Sequence, residues 1–282
     1  MSITPQKRNS QFLSLCFSNI RKYLLYSLYS QRSYLKNVII VSTMPKILII
    51  IPAHNEAKNI GSVLDEIKKT SYNVDILVIN DCSNDNTKLI IQQKGIEYIT
   101  NTFNLHYAWS IQTGIKYAKY HNYDYCILMD ADGQHLASEI AKLYNTIIST
   151  DSDIVIGSRY LKKSNYGCPA FRKIGTKLFS HIIKLFTGQK ITDPLSGFQC
   201  INRKVINFWS ECGNYPEYPD ASLIIEMISR GYKVTEVAVQ MKNREHGTSM
   251  HAGLLKPIKY VVTQLYTCVI ILIKYIGRRK VK

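Results

Sequence analysis

Acidic residues are missing from both ends of the sequence: no Asp or Glu precedes Glu56 or follows Glu245. The six basic residues before Lys46 and the seven after Glu245 therefore carry most of the formal net charge of +16. They are interspersed with Leu, Ile, Val, Phe and Tyr, a combination typical of segments that contact an anionic membrane surface. Nucleic acid is not a favoured partner, because neither end has an RNA-binding signature.

Long uncharged stretches and paired cysteines are also missing. The longest uncharged run near the C-terminus covers residues 260–273, whereas a membrane-spanning helix needs about 20 residues. We therefore predict an amphipathic C-terminal helix, lying either in the plane of a membrane or packed on the domain. The seven cysteines contain no Cys-x-x-Cys pair, which argues against disulfides and zinc and for a reducing compartment. Four of them are predicted to be core residues: Cys82, Cys126, Cys200 and Cys268.

The distribution of charge divides the chain into three parts. Residues 1–45 form a basic, apolar extension. It is either an amphipathic arm that contacts the membrane or, if translation starts at Met44, a segment that is not part of the protein. Residues 46–250 hold all 20 acidic side chains and are predicted to form one domain. Residues 251–282 form a basic tail that we predict to contact the membrane.

From residue 46 onward, apolar runs of strand length alternate with amphipathic helical segments. This alternation predicts an α/β fold with a mostly parallel sheet flanked by helices. Asn55 is the predicted N-cap of the first helix. Strands are predicted at 47–51, 75–80, 96–100, 124–129, 153–157, 197–201 and 233–239. Helices are predicted at 57–70, 87–94, 108–120, 136–149, 173–186 and 221–230.

Polar turns follow three of these predicted strands. They are Pro-Ala-His-Asn-Glu at 52–56, Asp-Cys-Ser-Asn-Asp at 81–85 and Asp-Ala-Asp-Gly-Gln-His at 130–135. The carboxyl ends of parallel strands meet at one edge of a sheet, where open α/β sheets bind their ligands. Asp and Gly are also ordinary turn residues, but two carboxylates one residue apart can hold a hard divalent cation. This edge is the predicted active site.

These three turns resemble the motifs of family 2 glycosyltransferases, which have the GT-A (Rossmann-like) fold. Further similar stretches are Gly-Ser-Arg at 157–159, Asp-Pro-Leu-Ser-Gly-Phe-Gln at 193–199 and Arg-Glu-His-Gly-Thr-Ser at 244–249. The resemblance covers roughly residues 46–250 and extends to the dolichol- and polyprenyl-phosphate sugar transferases. It implies Mg²⁺ or Mn²⁺ as cofactor. The implied metal ligands are Asp130, Asp132 and Gln134; the implied donor-nucleotide contacts are Pro52, Ala53, His54, Glu56, Asp81, Asp130, Ala131 and Asp132.

The resemblance also implies an acceptor side. The residues expected to meet phosphate or acceptor are Arg159, Arg172, Ser196, Gly197, Arg244 and Ser249. Asp220 is the first candidate for a catalytic base and Glu217 the second, although Asp220 can equally be a helix N-cap. A lipid phosphate needs no base, because its oxygen is already anionic. We expect His135 to hydrogen-bond locally rather than bind the metal.

The chain departs from the family pattern in two places. The usual Asp-Asp-Gly-Ser is Asn-Asp-Cys-Ser at 80–83, and the glycine-rich loop after the third strand is Asn-Leu-His-Tyr-Ala-Trp at 104–109, which leaves the shape of the donor pocket open. The predicted activity is metal-dependent, inverting transfer of a sugar from a GDP-, UDP- or dTDP-linked donor. We predict a lipid-linked acceptor, polyprenyl phosphate or a hydroxyl of a lipid-linked saccharide, in cell-envelope glycan or glycolipid synthesis.

The predicted location is peripheral, on the cytoplasmic face of the cell membrane. Two other functions fit the sequence less well than glycosyl transfer. A nucleotidyltransferase would need a glycine-rich phosphate loop after the first strand, which residues 52–56 do not provide. A non-catalytic protein that binds membrane surfaces would leave the aspartates at the strand ends unexplained.

Overall fold

The computed structural model describes residues 44–279, except residue 71 and the segments 162–169 and 244–254. Residues 1–43 of the predicted N-terminal extension lie outside these residues, as does all of the stretch 244–249 that carries the predicted phosphate contacts Arg244 and Ser249.

A seven-stranded sheet organises the described part of the chain. Its order is β3-β2-β1-β4-β6-β5-β7. All pairings are parallel except those of β6, which runs antiparallel to both β4 and β5. The predicted α/β fold with a mostly parallel sheet is confirmed. The strands are β1 Ile47–Ala53, β2 Asp75–Asn80, β3 Glu97–Thr100, β4 Tyr125–Leu128, β5 Ile154–Ser158, β6 Gln199–Asn202 and β7 Val234–Ala238.

Helices connect and cover these strands close to their predicted positions. They are α1 Ile60–Lys68, α2 Thr87–Gln93, α3 His106–Tyr120, α4 Ile140–Thr150, α5 Ala170–Thr187, α6 Arg203–Trp209, α7 Ala221–Ser229 and α8 Leu255–Arg279. The short helix α6 was not predicted. Asn55 as N-cap of the first helix was wrong: Asn59 occupies that position, and Asn55 has a left-handed φ of 57° inside the preceding turn.

The apolar core lies on both faces of the sheet, as the continuous hydrophobic run of β1 requires. Leu48 and Ile50 face one side, where they join a cluster that includes Phe179 of α5 and Leu223 of α7. Ile49 and Ile51 face the other side, with Leu64 among the residues packed there. Strand β1 is therefore buried on both faces of the sheet.

The described cysteines are all reduced. Cys126, Cys200 and Cys268 are buried, as predicted, and burial raises the pKa of each thiol above its ordinary value. The prediction for Cys82 was wrong: it is only half-buried, in a turn with φ of 53°.

The C-terminal helix α8 has two distinct faces. Gln264, Cys268 and Ile271 are buried against the domain, chiefly against α7. Val262, Val269 and Ile273 point outward and are more than half exposed. None of the described helices is long and apolar enough to cross a bilayer. The predicted amphipathic helix is present, and one side of it packs on the domain.

Candidate active site

The predicted site edge lies where the order of the sheet reverses. Strand β1 has β2 on one side and β4 on the other, with Ala53 paired to Asn80 and Ile50 paired to Leu128. The turns that follow all three strands consequently open on the same edge. In doubly wound folds this reversal leaves a crevice in which ligands bind.

Asp81, at the end of β2, is a buried carboxylate with fixed partners. Its Oδ1 accepts hydrogen bonds from the Asn101 side chain and from the backbone N–H of Leu105, both at 2.8 Å. The backbone oxygen of Asp81 lies 2.6 Å from Nδ1 of His54. The predicted donor-side residues Asp81 and His54 are thus in contact, whereas the support from Asn101 was not foreseen.

The turn after β1 is held by the turn after β2. The backbone N–H of Asn55 donates to Ser83, and that of Glu56 donates to Thr87. Glu56 also accepts a hydrogen bond from the side chain of Asn59 at 2.6 Å, so it supports the start of α1. Pro52 and Ala53 form the last two residues of β1. A nucleoside contact by these residues stays a prediction.

The turn after β4 carries the Asp-x-Asp pair. Gly133 adopts a left-handed φ of 78°, which only glycine adopts without strain. This conformation lets the chain fold back so that Asp132 Oδ1 accepts the backbone N–H of Gln134 at 3.0 Å. Asp130, Ala131, Asp132 and Gln134 therefore belong to one tight turn that presents its oxygen atoms at the edge of the sheet.

His135 stabilises this turn as a neutral ring. Its Nδ1 accepts the backbone N–H of Asp130 at 3.0 Å, and the ring stacks on Phe198 with centroids 4.6 Å apart. Burial lowers the pKa of His135 to about 4, so the ring is uncharged at neutral pH and its 3.7 Å approach to Asp130 is not an ion pair. The prediction of a local hydrogen bond is confirmed.

Tyr107 occupies the place of the missing glycine-rich loop. The Tyr107 hydroxyl forms a hydrogen bond with Asp130. Burial, and to a smaller extent the negative charge of Asp130, raises the pKa of Tyr107 well above its ordinary value. The same short segment reaches Asp81 through the N–H of Leu105. The segment that leads into α3 thus contacts both Asp81 and Asp130, two aspartates of the predicted donor site. Sequence reasoning missed Tyr107, because no motif marks a tyrosine at this position.

Gly197 lies directly against Tyr107. A Cβ added at Gly197 would come within 2.7 Å of the Tyr107 hydroxyl oxygen and 3.6 Å of Asp130 Oδ1. A side chain there would displace the Tyr107 hydroxyl, whereas its distance to Asp130 would be an ordinary van der Waals contact. The close packing of this segment on Tyr107 therefore requires glycine. The neighbouring Ser196 is buried and donates to the Gly157 carbonyl at 2.7 Å, which fixes the segment to the end of β5.

Arg159 is paired within the protein, an arrangement that the sequence did not predict. Its Nε and Nη2 donate to the two oxygens of Asp193, each at 2.7 Å, and its backbone N–H adds a third bond at 2.9 Å. The Asp193 side chain is fully buried. The pair ties the end of β5 to the segment that carries Gly197. A contact between Arg159 and phosphate stays a prediction.

Asp220 precedes α7 and accepts a hydrogen bond from Tyr260 of α8 at 2.5 Å. It is the N-cap residue of α7, as the alternative prediction had it, although its side chain makes no capping hydrogen bond. Burial raises its pKa to about 6, although the Tyr260 hydrogen bond and Arg159 act in the opposite direction. Glu217 is exposed. Three predicted acceptor residues have side chains outside the described residues: Arg172, Arg244 and Ser249.

The donor atoms at the Asp-x-Asp turn suit a hard divalent cation. Within the described residues, no three His, Cys, Asp or Glu side chains converge to form a complete metal site. Two carboxylates and one amide nevertheless supply the oxygen ligands that Mg²⁺ and Mn²⁺ prefer, and neutral His135 adds no positive charge beside them. Such a partial set leaves coordination positions for the phosphate oxygens of a bound nucleotide.

Comparison with known proteins identifies the family. The model of glycosyl transferase family 2 matches residues 48–209, more than half of the chain. The chain belongs to glycosyltransferase family 2. This glycosyltransferase carries the matched motifs on β1, β2 and β4 at the site edge. The nucleotidyltransferase and the non-catalytic membrane-binding protein are therefore wrong as descriptions of the chain.

The curated relatives of this glycosyltransferase include polyprenyl-phosphate enzymes. It is 30% identical over 183 residues to the UDP-N-acetylglucosamine–dolichyl-phosphate N-acetylglucosaminyltransferase of Methanococcus voltae, covering 58% of this chain and 72% of that protein. It is 25% identical over 215 residues to the polyprenol monophosphomannose synthase of Mycolicibacterium smegmatis; the match covers 73% of this chain and 81% of that protein.

Solved structures confirm the fold of this glycosyltransferase. The glucosyl-3-phosphoglycerate synthase of Mycobacterium tuberculosis, in complex with Mn²⁺, UDP and phosphoglyceric acid, superimposes with a TM-score of 0.60 at 16% identity, covering 79% of this chain and 78% of that one. A mannosyltransferase from Pyrobaculum calidifontis, in complex with GDP-mannose and Mn²⁺, superimposes with a TM-score of 0.57 at 15% identity. The match covers 81% of this chain and 65% of that one. The predicted GT-A fold is confirmed.

Proposed function

We propose that this glycosyltransferase transfers a sugar, with inversion, from a nucleotide-sugar donor to polyprenyl phosphate at a membrane surface. The observation that carries the proposal is the Asp-x-Asp turn, fixed at the switch point of the sheet opposite buried Asp81. The names of the relatives, which include enzymes acting on dolichyl phosphate and polyprenol phosphate, support the class of acceptor.

On the donor side, each residue has a distinct task. Oδ1 of Asp81 accepts two hydrogen bonds from the protein. These bonds fix the carboxylate in an orientation in which it can also accept hydrogen bonds from the nucleoside. Asp130, Asp132 and Gln134 would hold Mg²⁺ or Mn²⁺, which when bound neutralises the charge that develops on the departing diphosphate. Tyr107 fixes the orientation of Asp130. The diphosphate then leaves from the side of the Asp-x-Asp turn.

On the acceptor side, an oxygen of the lipid phosphate attacks the anomeric carbon from the opposite face. A new carbon–oxygen bond forms there, the bond to the nucleotide diphosphate breaks, and the configuration inverts. The lipid phosphate is anionic already and requires no base. Asp220 would then position the acceptor, and Arg172, Arg244 and Ser249 would meet its phosphate group.

A hydroxyl of a lipid-linked saccharide is the second candidate acceptor, and Asp220 is the observation that favours it. A carboxyl whose pKa is raised by burial to about 6 is still mainly ionised at pH 7. Its proton affinity is nevertheless higher than that of an ordinary aspartate, which suits a general base that takes a proton from a hydroxyl.

A direct transfer assay tests the proposed function. The protein would be incubated with Mn²⁺, with either polyprenyl phosphate or a lipid-linked saccharide as acceptor, and with radiolabelled UDP-, GDP- and dTDP-sugars in turn. We expect one donor to transfer label to the organic phase with release of the nucleoside diphosphate. Label that appears only on a lipid-linked saccharide would favour the second acceptor, and absence of transfer to either lipid would refute the proposal.

The change Asp220→Asn distinguishes the two acceptors. With a hydroxyl acceptor we expect turnover to fall about a hundredfold or more, because the proton acceptor is lost. With polyprenyl phosphate we expect a decrease of about tenfold or less. Initial rates with each acceptor give the answer, and donor affinity, measured by thermal stabilisation with the nucleotide, serves as the control because Asp220 is assigned no donor contact. An equal loss with both acceptors would contradict this division of roles.

The outer face of α8 is the proposed contact with an anionic membrane. Val262, Val269 and Ile273 are exposed along it. Ile174 and Leu185 are exposed on α5, whose Phe179 contacts Tyr260 of α8. Basic side chains on α5 and α8 include Lys173, Lys177, Lys184 and Lys274. A surface that combines exposed apolar and basic residues suits anionic headgroups over acyl chains.

Membrane binding should weaken when the outer face of α8 is made polar. The double change Val262→Ser and Ile273→Ser removes roughly 2 kcal/mol of apolar burial, so we expect about 30-fold weaker binding to anionic vesicles in a flotation assay. Substitutions are preferable to truncation after Ser249, since truncation would also expose the side of α7 that α8 covers. Leu89→Ser on α2, where Leu89 is likewise exposed, is the matched control, and equal binding of both variants would rule out this contact.

A further inference from the structure

The inner face of α8 contacts the segment that carries the acceptor-site carboxylate. The Tyr260 hydroxyl donates to Asp220 Oδ2 at 2.5 Å, and the Gln264 side chain donates to the backbone carbonyl of Tyr218 at 3.0 Å. Gln264 is fully buried. The two side chains lie one turn apart on the helix, and both bind residues just before α7. The C-terminal helix is thereby fastened to the acceptor side at two points.

The ring of Tyr260 is held by aromatic neighbours. It meets Tyr218 edge-on with centroids 5.6 Å apart and Phe179 of α5 with centroids 6.5 Å apart. Both arrangements are near-perpendicular, the geometry that aromatic quadrupoles favour. A ring packed in this way has little freedom to move. The position of the Tyr260 hydroxyl, which donates to Asp220, is therefore set by the packing of α8 on α5 and on the segment before α7.

The geometry of Asp220 indicates that this bond does more than stabilise a helix. An aspartate that precedes a helix ordinarily accepts a backbone N–H of the first turn. Asp220 stands at that position of α7 and makes no such bond. Its carboxylate accepts instead from the hydroxyl of Tyr260 on α8, 40 residues further along the chain. A hydrogen bond from Tyr260, which fixes the orientation of the Asp220 carboxylate, thus takes the place of the capping bond that would stabilise α7.

We propose that Tyr260 is a positioning residue for the transfer reaction, whose hydroxyl holds the Asp220 carboxylate toward the acceptor, so that α8 joins the membrane-facing surface to the acceptor site. This inference rests on the proposed function, in which Asp220 meets the acceptor. Tyr260 itself touches neither the sugar nor the acceptor; it acts through Asp220. The outer face of the same helix carries Val262, two residues away, so displacement of α8 would move Tyr260 as well.

Several groups besides Tyr260 determine the charge of Asp220. Burial raises its pKa to about 6; the Tyr260 hydrogen bond and the positive charge of Arg159 lower it, and the negative charge of Asp193 raises it. The phenols of partly buried Tyr107 and buried Tyr215 also interact with Asp220 and stay neutral. Because the Tyr260 hydroxyl stabilises the ionised form, its removal should raise the pKa of Asp220 further. The carboxylate would then be lost at a higher pH as the solution is acidified.

The test is Tyr260→Phe, which removes the hydroxyl and keeps the ring. We expect turnover with the lipid acceptor to fall about threefold to fivefold, less than in Asp220→Asn, and the acidic limb of the pH–rate profile to move to higher pH, while nucleotide affinity and thermal stability stay near those of the wild type. Tyr120→Phe is the matched control, because that side chain is 82% exposed on α3; it should leave both profiles unchanged. A carboxyl titration followed by carbon NMR with labelled aspartate measures the shift of Asp220 without any substrate.

Two results would overturn the inference. Wild-type turnover, pH profile and carboxyl titration in Tyr260→Phe would mean that the hydroxyl does not position Asp220. A parallel fall of nucleotide affinity and thermal stability, with the carboxyl titration unmoved, would mean that the contact only stabilises the fold. If the wild-type protein transfers no sugar to either lipid, the proposed function fails, and the carboxyl titration still decides whether Tyr260 controls Asp220.

Discussion

Asp132→Asn should lower the rate of sugar transfer about a thousandfold or more and leave the protein folded. In the wild-type protein Asp132 Oδ1 accepts the backbone N–H of Gln134 at 3.0 Å, and the amide oxygen of Asn can accept the same bond. The substitution therefore preserves the turn and removes only the negative charge. Loss of a charge that holds the cation at the leaving group costs about 4 kcal/mol of barrier, which corresponds to a factor of about a thousand.

Initial rates at saturating donor and thermal unfolding of the same sample would measure this effect. Mn²⁺ should also stabilise the wild type in the presence of the nucleoside diphosphate, and this stabilisation should be lost in the variant. Asp151→Asn is the control: Asp151 is exposed, and its left-handed φ of 47° is one that Asn tolerates. Near-normal turnover of a folded Asp132→Asn protein would exclude Asp132 as a metal ligand.

Asp193→Ala should be the most destabilising single change among the ion pairs described here. Asp193 is fully buried, and Arg159, whose side chain is 9% exposed, donates three hydrogen bonds to it. Removal of the carboxylate leaves the guanidinium buried without its counter-charge, which costs about 3–5 kcal/mol of unfolding free energy. The segment that carries Ser196 and Gly197 would also lose one of its connections to β5, while the Ser196 bond to the Gly157 carbonyl would remain.

Urea denaturation followed by circular dichroism measures this loss as a lower midpoint with an unchanged slope. Asp124→Ala is the matched control, because Asp124 pairs with Arg203 at the surface, where both side chains are about two-fifths exposed. An exposed pair contributes at most about 1 kcal/mol. If the two variants lost equal stability, burial of the Arg159–Asp193 pair would not determine its contribution.

The location of the site could be predicted because it depends on local patterns. Each of the turns after β1, β2 and β4 directly follows an apolar run, and parallel strands bring their carboxyl ends to one edge whatever their order. The helix boundaries followed from amphipathic spacing in the same way. The N-cap at Asn55 failed because tertiary contacts overrode local preference: Asn55 bonds with Ser83 and with the backbone of Asn84.

The contacts that complete the site could not be predicted. Arg159 meets Asp193 across 34 residues, and Tyr260 meets Asp220 across 40. No periodicity links such positions, and each side chain alone is an ordinary residue of its type. Tyr107 is similar, since its contact with Asp130 depends on how closely Gly197 lets two loops approach. These pairings become visible only when the packing of α5, α7 and α8 is known.

The reversed direction of β6 has a consequence for how the acceptor half of such an enzyme can diversify. Because β6 runs against β4 and β5, the chain enters this strand at the edge where the parallel strands end. Ser196 and Gly197 precede their strand, whereas Asp81 and Asp130 follow theirs. Segments before β6 can therefore change in length without shifting the register of β1, β2 and β4, so the predicted acceptor side can vary independently of the predicted donor side.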